Sequence, residues 1–259
     1  PEFRDQLRNW EKAKVVTRFP FGSVVEVLEG ESTNGASSSL QFRELNGDDK
    51  GAPIMYYGTD GMGSLPLTIA KNGDLDIRQD VWVSPSNGVE FVNEQAKQGW
   101  RIKAKGKVLG DFDCLVIAHN GKCADRLMSR TPAKKLHSLL RTNFDASVPA
   151  DGGRKMTLNS IYSLVIAVPA KSPLADALPD HVISAFIKNE PALRFLSRNS
   201  RKYDKTGSST VETYTILSSP QFAKKYKAPQ EALPDDVCKN VTNMMLRAVE
   251  RSLHLEKGV

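Results

Sequence analysis

Hydrophobic and polar residues alternate over several stretches of the chain, at the two-residue period that is typical of half-buried strands. The segment Trp100–Lys105 is the clearest example, because Trp, Ile and Ala alternate there with Arg and Lys. Together with GVEFV before it and KVLGDFD after it, this segment predicts a β-meander with one solvated face. A further strand is predicted upstream, at Ile77–Val83.

An uninterrupted apolar segment, Cys114–Ala118, follows the meander and predicts a strand buried on both faces, as central parallel strands are. After His119–Gly121, helical spacing of apolar residues predicts a helix, and PAKKLHSLLR predicts a second one. The loop at the carboxyl end of such a strand commonly faces a ligand. His119 could equally be a solvent-contacting loop residue that starts the helix.

The C-terminal part of the chain predicts three strands that share one antiparallel sheet packed with helices, at residues 159–168, 182–188 and 210–218. A helix is predicted through Leu193–Arg201, and a long amphipathic helix from about Pro234 to Leu255. Composition changes in NFDASVPADGGRK, so we predict two lobes, residues 1–150 and 151–259. GSVVEVLEG and SLQFREL predict two paired strands within residues 20–60, which could belong to either lobe. The fold class is therefore mixed α/β.

The cysteine and histidine content argues against disulfide and metal sites. The chain has three cysteines, an odd number without a C-x-x-C pair, and four histidines without metal-ligand spacing. We therefore expect a reducing intracellular compartment and no bound metal. No run of about eighteen apolar residues is present, so we expect no membrane span.

Positive charge is concentrated in the second half of the chain. The net charge is +6, but residues 119–259 carry 22 Lys and Arg against 13 Asp and Glu, a balance of +9. The bases cluster in three segments, Lys122–Arg141, Arg194–Lys205 and Lys224–Lys227. They form either a solvated face or a surface for an anionic partner, a dinucleotide or an acidic protein. Nucleic acid is not expected, since no aromatic-interleaved basic motif of the RRM kind is present.

The middle basic segment predicts a defined patch. On a helix through this segment, Arg194, Arg198 and Arg201 are spaced i, i+4, i+7 and would share one face. Lys202 and Lys205 would follow in the next loop. We predict that these five residues bind an acidic protein partner.

The order of these segments resembles the renalase-like branch of the FAD-dependent amine oxidase families. The resemblance runs from GMGSLP and DIRQDVWV through GDFDCLVIA and LNSIYSLVIAV to VETYTILSSPQFAKKYK, and covers nearly the whole chain. Plant and algal FAD/NAD(P)-binding oxidoreductases, which are often plastid-targeted, look closest over VIAHNGKCADRLM and LSRNSRK. The resemblance implies a plastid flavoprotein with an incomplete Rossmann-like FAD-binding lobe and an α+β substrate-type lobe.

The resemblance also implies which residues contact the cofactor. Main-chain groups at Val81 and Val83 would lie near the adenine end of FAD, and Ala118, His119 and Asn120 would lie near the dinucleotide at the end of their strand. The flavin would carry the hydride transfer, while the protein orients it.

Two tyrosines are candidates for the substrate side. In a flavoprotein of this kind, Tyr162 and Tyr214 could line the face over the flavin. They could equally be core tyrosines with satisfied hydroxyl groups. No carboxylate or histidine constellation identifies a general base, so we assign no catalytic residue.

The glycine turn G-x-G-x-x-G, which holds the pyrophosphate in such flavoproteins, is not in this sequence. We therefore expect the chain as given to bind FAD weakly or not at all. The alternative function is a non-catalytic scaffold or stabilising subunit of a larger plastid assembly, which binds an acidic partner through its basic second half. A third hypothesis is a thiol activity at Cys123, next to Lys122 and a predicted helix start.

Overall fold

The computed structural model describes residues 2–30, 39–47, 51–94, 97–144, 159–204, 208–229 and 232–255. The chain divides into two compact units: unit 1 consists of Pro1–Leu75 with Asn159–Val259, and unit 2 of Asp76–Leu158. The described elements of unit 1 are α1 (Glu2–Lys12), β1 (Val16–Arg18), β2 (Val24–Glu29), β3 (Leu40–Glu44), β4 (Tyr56–Gly58), α2 (Leu65–Asn72), β8 (Ser163–Pro169), α5 (Pro173–Asp176), β9 (Ser184–Ile187), β10 (Leu193–Arg198), α6 (Asn199–Tyr203), β11 (Val211–Ser218), α7 (Pro220–Lys225) and α8 (Asp235–Ser252). Those of unit 2 are β5 (Val89–Glu94), β6 (Lys97–Ala104), β7 (Lys107–Phe112), α3 (Gly121–Met128) and α4 (Lys134–Phe144).

A six-stranded mixed sheet forms the centre of unit 1. Its order is β3-β2-β9-β10-β11-β8, and β2 with β9 is the parallel pair among otherwise antiparallel neighbours. The three C-terminal strands predicted to share a sheet do so, as β8, β9 and β11. The paired strands predicted within residues 20–60 join the same sheet as β2 and β3.

The core of unit 1 follows from alternation in its strands and helical spacing in α8. In β11, Tyr214 and Ile216 point to one face and are fully buried, because side chains two residues apart share a face. Val241, Met245 and Val249 repeat every fourth residue of α8 and pack into the same core cluster. The long amphipathic helix predicted from the sequence is therefore confirmed.

Unit 2 contains the predicted β-meander and two helices. The strands β5, β6 and β7 pair antiparallel in chain order. On this sheet the Arg101 guanidinium donates two hydrogen bonds, of 2.8 and 3.0 Å, to the Asp111 carboxylate on the next strand. The helices predicted after Gly121 and in PAKKLHSLLR are confirmed as α3 and α4.

The strand predicted at Ile77–Val83 is wrong. Residues 77–83 form no regular element, and Trp82 in this segment is 71% exposed. Asp80 has a φ angle of 56°, in the left-handed region, which interrupts the extended conformation that a strand requires. The apolar residues of this segment therefore do not belong to a strand.

The doubly buried strand predicted at Cys114–Ala118 is also wrong. These residues form no strand, and Val116 is 86% exposed. The sheet of unit 2 ends with β7, so among the described residues no neighbouring strand pairs with this segment. A run of apolar residues is not sufficient for a central strand, because the strand also needs neighbours that pair with its backbone N–H and C=O groups.

The helix predicted through Leu193–Arg201 is wrong over its first six residues, which form the strand β10. A register shift between Leu193 and Phe195 places Leu193 and Leu196 on the same buried face. Because of this irregularity, the two buried leucines of the strand lie three residues apart, a spacing that is also typical of a helix. Of the predicted helix, residues 199–201 are helical, as part of α6.

The structure confirms the mixed α/β class, with a mixed sheet and an antiparallel sheet. The predicted lobe boundary near Asp145–Arg154 lies outside the described residues. None of the described helices is long and apolar enough to cross a bilayer.

We predict that replacing Ile216 by Ala lowers the free energy of unfolding by about 2–5 kcal/mol, because the side chain is fully buried and its loss leaves a cavity. Urea unfolding followed by circular dichroism measures this change. Val165→Thr on the neighbouring strand β8 is the control, since Val165 is 66% exposed and a β-branched side chain is retained there. Its effect should stay within about 0.5 kcal/mol. Equal losses in the two variants would contradict the assignment of the faces.

Candidate functional site

The helix α3 starts at a capped turn. The Asn120 side chain accepts a hydrogen bond of 3.0 Å from the backbone N–H of Cys123, which satisfies one of the unpaired amides of the first turn. Ala124, Leu127 and Met128 are buried on the inner face of this helix. The opposite face is consequently left for polar residues.

A cavity of about 450 Å³ lies beside α3 and α4 in unit 2. Among the described residues, its lining consists of five basic side chains, one carboxylate, two serines and a proline. These are Pro85, Ser86, Lys122, Asp125, Arg126, Ser129, Arg130, His137 and Arg141. The basic segment Lys122–Arg141 thus folds back on itself across the turn between the two helices. Its charges converge on one concave surface.

Helical spacing explains this convergence. Lys122 and Arg126 lie four residues apart on α3, and His137 and Arg141 lie four residues apart on α4. Residues at this spacing share a face of their helix. Among the described residues, Lys122, Arg126 and Arg130 have no carboxylate within salt-bridge distance, so their charge is available to a ligand. Arg141 already interacts with another group, so we do not count its charge among those available to a ligand.

One wall of the cavity is formed by a histidine and a carboxylate. The Nε2 atom of His137 lies 3.1 Å from Oδ1 of Asp125. The two atoms are close but misaligned for a hydrogen bond, and both are buried without another hydrogen-bond partner in the described part of the chain. Buried polar atoms are normally paired, and these two atoms face each other at the wall of the cavity.

The cavity suits a compact, multiply charged anion. Arginine presents a planar set of N–H donors that matches the oxygens of phosphate or carboxylate groups, and it stays charged at all physiological pH values. A concave basic surface also concentrates anions near it. The described residues contain no group of three or more His, Cys, Asp or Glu side chains that could hold a metal ion.

None of the five predicted cofactor residues lines this cavity. Ala118, His119 and Asn120 are exposed just before α3, and the Asn120 side chain is used as the helix cap. Val81 and Val83 lie in the irregular segment that replaces the predicted strand. Their contact with a dinucleotide stays a prediction.

The two predicted substrate-side tyrosines belong to the core of unit 1. Tyr162 donates a hydrogen bond of 2.5 Å to the backbone carbonyl of Tyr226 and packs against Phe222. Tyr214 is fully buried and donates to Glu212 over 2.6 Å. Both hydroxyl groups are therefore satisfied, as in the core alternative that the sequence left open.

The opposite face of the same sheet carries different aromatic residues. Phe186 and Phe195 lie on neighbouring strands, are half-buried, and pack edge to face with ring centroids 5.1 Å apart. They were not predicted, because the face to which a strand residue points depends on the register of the strands.

The predicted patch of five basic residues does not form on a helix face. Arg194 and Arg198 are in the strand β10, whereas Arg201 and Lys202 are in α6. Arg198 points into the core and is 1% exposed, so it is not accessible to a partner. Lys205 lies outside the described residues.

Arg198 instead forms a buried ion pair with Glu212. Its guanidinium contacts both carboxylate oxygens, at 2.9 Å for Nη2–Oε1 and 3.2 Å for Nε–Oε2. Arg201 donates to the same carboxylate at 3.0 Å. Burial alone would raise the pKa of Glu212, but the hydrogen bonds from Arg198 and Tyr214 lower it below its usual value. Burial and the bond to Glu212 raise the pKa of Tyr214, which stays a neutral donor.

Exposure does not distinguish Cys123 from the other cysteines. Cys114, Cys123 and Cys238 are all free and exposed. The backbone N–H of Cys123 is bound to the Asn120 cap. The thiol hypothesis therefore stays a prediction.

No protein-family model matches the chain, and no curated protein sequence matches it.

The ion pair leads to a prediction on stability and pH. We expect Glu212→Gln to lower the free energy of unfolding by about 3–5 kcal/mol at pH 7, because Arg198 is then buried without its counter-charge. Folding lowers the pKa of Glu212, so its contribution is present above the ordinary glutamate pKa of about 4.3. It is lost as the pH falls through the lowered value.

The difference between wild type and Glu212→Gln should therefore narrow when urea unfolding is repeated in increasingly acidic buffer. Glu44→Gln, at an exposed position of β3, is the control and should cost less than about 0.5 kcal/mol at neutral pH. A difference that stays constant down to the acid limit of folding would show that the charge of Glu212 does not stabilise the fold.

Proposed function

We propose that this chain binds a phosphate-bearing ligand of the dinucleotide class in the α3–α4 cavity. A single observation carries the proposal: Lys122, Arg126 and Arg130 converge on one cavity without a carboxylate partner in the described parts of the chain. Uncompensated bases on a concave surface favour an anion. The resemblance to the renalase-like flavoproteins suggests FAD as this ligand.

The residues of the cavity fit the pyrophosphate part of such a ligand. Its volume of about 450 Å³ lies within the usual range of ligand pockets, about 300–1,000 Å³. Arg126 and Arg130 can each donate two hydrogen bonds to phosphate oxygens. The Asp125 carboxylate would repel a second phosphate group beside it but can accept a hydrogen bond from a hydroxyl group, such as that of a ribose.

The oxidoreductase activity follows only if the ligand is FAD. The flavin then supplies the hydride chemistry, and the residues of the cavity contribute binding and orientation. The cavity belongs to the part of the chain that the resemblance assigns to the FAD-binding lobe. Its bases offer an anion site that does not depend on a G-x-G-x-x-G turn. FAD affinity is expected to be weak, since helix-terminal amides are replaced by side chains that lose rotamer freedom on binding.

The proposal predicts selective binding of phosphorylated ligands. Isothermal titration calorimetry should detect binding of FAD, ADP and inorganic pyrophosphate, but not of riboflavin, which lacks phosphate. Affinity should fall as salt is added, because the charges that bind the anion are screened. The double variant Arg126→Glu/Arg130→Glu should bind about tenfold more weakly or worse.

Lys135→Glu is the matched control, because Lys135 lies on α4, is exposed and does not line the cavity. It should bind pyrophosphate as the wild type does. Riboflavin binding as tight as FAD binding, or an unchanged affinity of the double variant for pyrophosphate, would refute the anion site.

The non-catalytic alternative is a scaffold within a larger plastid assembly. It requires a surface for an acidic partner, and the five-residue patch predicted for this purpose lacks the accessible Arg198 on which it depends.

A further inference from the structure

A second concave surface lies in unit 1, where α7 and α8 approach the turn before β10. The groove has a volume of about 510 Å³. Its floor is apolar and includes Ala192, Phe222, Tyr226 and Met244. The rings of Phe222 and Tyr226 lie 4.8 Å apart, centroid to centroid, and Met244 is an adaptable side chain that fits varied contacts.

The rim of this α7–α8 groove carries three bases. Lys225 holds its Nζ atom 5.1 Å from the centroid of the Tyr226 ring. Arg247 is exposed and has no carboxylate within salt-bridge distance in the parts of the chain that the structure describes. Arg251 donates from Nε to Oε2 of Glu190 at 2.8 Å. Two of the three charges, those of Lys225 and Arg247, therefore have no ion pair with any residue that the structure describes.

The groove is pre-formed by local structure. On α8, Met244, Arg247 and Arg251 are spaced i, i+3, i+7 and share one face. On the other side, Ser219 caps α7 by accepting a hydrogen bond of 3.1 Å from the backbone N–H of Phe222. A ligand would therefore meet an apolar floor and a basic rim that are already in place, which reduces the cost of ordering on binding.

We propose that the α7–α8 groove docks an acidic, amphipathic helical segment of a partner protein. The apolar side chains of this segment would cover Tyr226 and Met244, which are half-buried, and its carboxylates would pair with Lys225 and Arg247. The charges favour this occupant, since no acidic residue of the described ranges lines the groove. Groove-to-groove contact with a second copy is disfavoured, because a two-fold interface would bring the same bases together.

The site is independent of the anion cavity in unit 2, so either proposal can fail alone. A fluorescein-labelled synthetic peptide is the probe, with leucines at i, i+3, i+4 and i+7 and glutamates at the remaining positions. Fluorescence anisotropy should show saturable binding to the full chain. The variant Lys225→Glu/Arg247→Glu should bind this peptide about tenfold more weakly.

Control peptides separate the apolar floor from charge alone. A peptide of identical composition with scrambled leucine spacing, and one with the leucines replaced by glutamine, should each bind about tenfold more weakly than the probe. Lys239→Glu, on α8 but outside the lining of the groove, should bind like the wild type. Circular dichroism of each variant verifies that the fold is retained.

The competing outcomes are distinct. Equal affinity for the probe and the scrambled peptide would mean charge attraction without a groove, and would overturn the proposal. So would an unchanged affinity in Lys225→Glu/Arg247→Glu. A single-stranded oligonucleotide that displaces the peptide and binds more tightly than it would identify a nucleic-acid surface instead, and the acidic-segment proposal would be rejected.

Discussion

A buried ion pair between Arg198 and Glu212 connects β10, β11 and the segment that carries α5 in unit 1. Arg198 ends β10, Glu212 lies on β11, and the guanidinium also approaches the backbone carbonyls of Ala175 and Pro179 beyond β8. The pair thus links two strands to the connection that carries α5. Removing both charges from water is costly and is offset only when the buried groups are well hydrogen-bonded. Here Tyr214 and Arg201 also donate to the carboxylate of Glu212. This constraint explains why Arg198 must enter the core, and hence why a basic sequence there is not a surface patch.

Sequence periodicity predicted the regular elements of the fold, but not β10, the strand that ends at Arg198. Alternation was sufficient for β11 and for the meander, and four-residue spacing was sufficient for α8, because these elements are regular along their whole length. At β10 the register shift at Leu193 and Phe195 imitates helical spacing. No local pattern distinguishes the two cases, since the partner of Arg198 is fourteen residues away. Propensity and periodicity are local quantities, whereas an ion pair across strands is not.

The candidate sites could be located in the sequence only in part. The three basic segments are visible as composition, and two of them, Lys122–Arg141 and Lys224–Lys227, contribute to the cavity and the groove. The sequence does not show that the turn after α3 brings α3 and α4 together, or that Arg247 of α8 joins Lys225 of α7 at the groove. The predicted cofactor residues were chosen from a strand end, and the strand at Cys114–Ala118 does not form. A site that is predicted at the end of a strand loses its basis when that strand does not form.

The two basic surfaces differ in what lies beneath their charges, and this difference determines which anion each can hold. In the α3–α4 cavity, Arg126 and Arg130 stand beside the polar pair of His137 and Asp125, so a small ion can exchange its water for several hydrogen bonds. In the α7–α8 groove the bases stand at the rim of an aromatic floor. A free phosphate there would keep most of its water, and the attraction would be screened beyond about 8–10 Å. An acidic segment that covers the floor would exclude that water and so strengthen the attraction between its carboxylates and the bases of the rim. Basic composition alone therefore predicts an anionic partner, and the surface under the bases decides whether that partner is a compact phosphate or an acidic amphipathic chain.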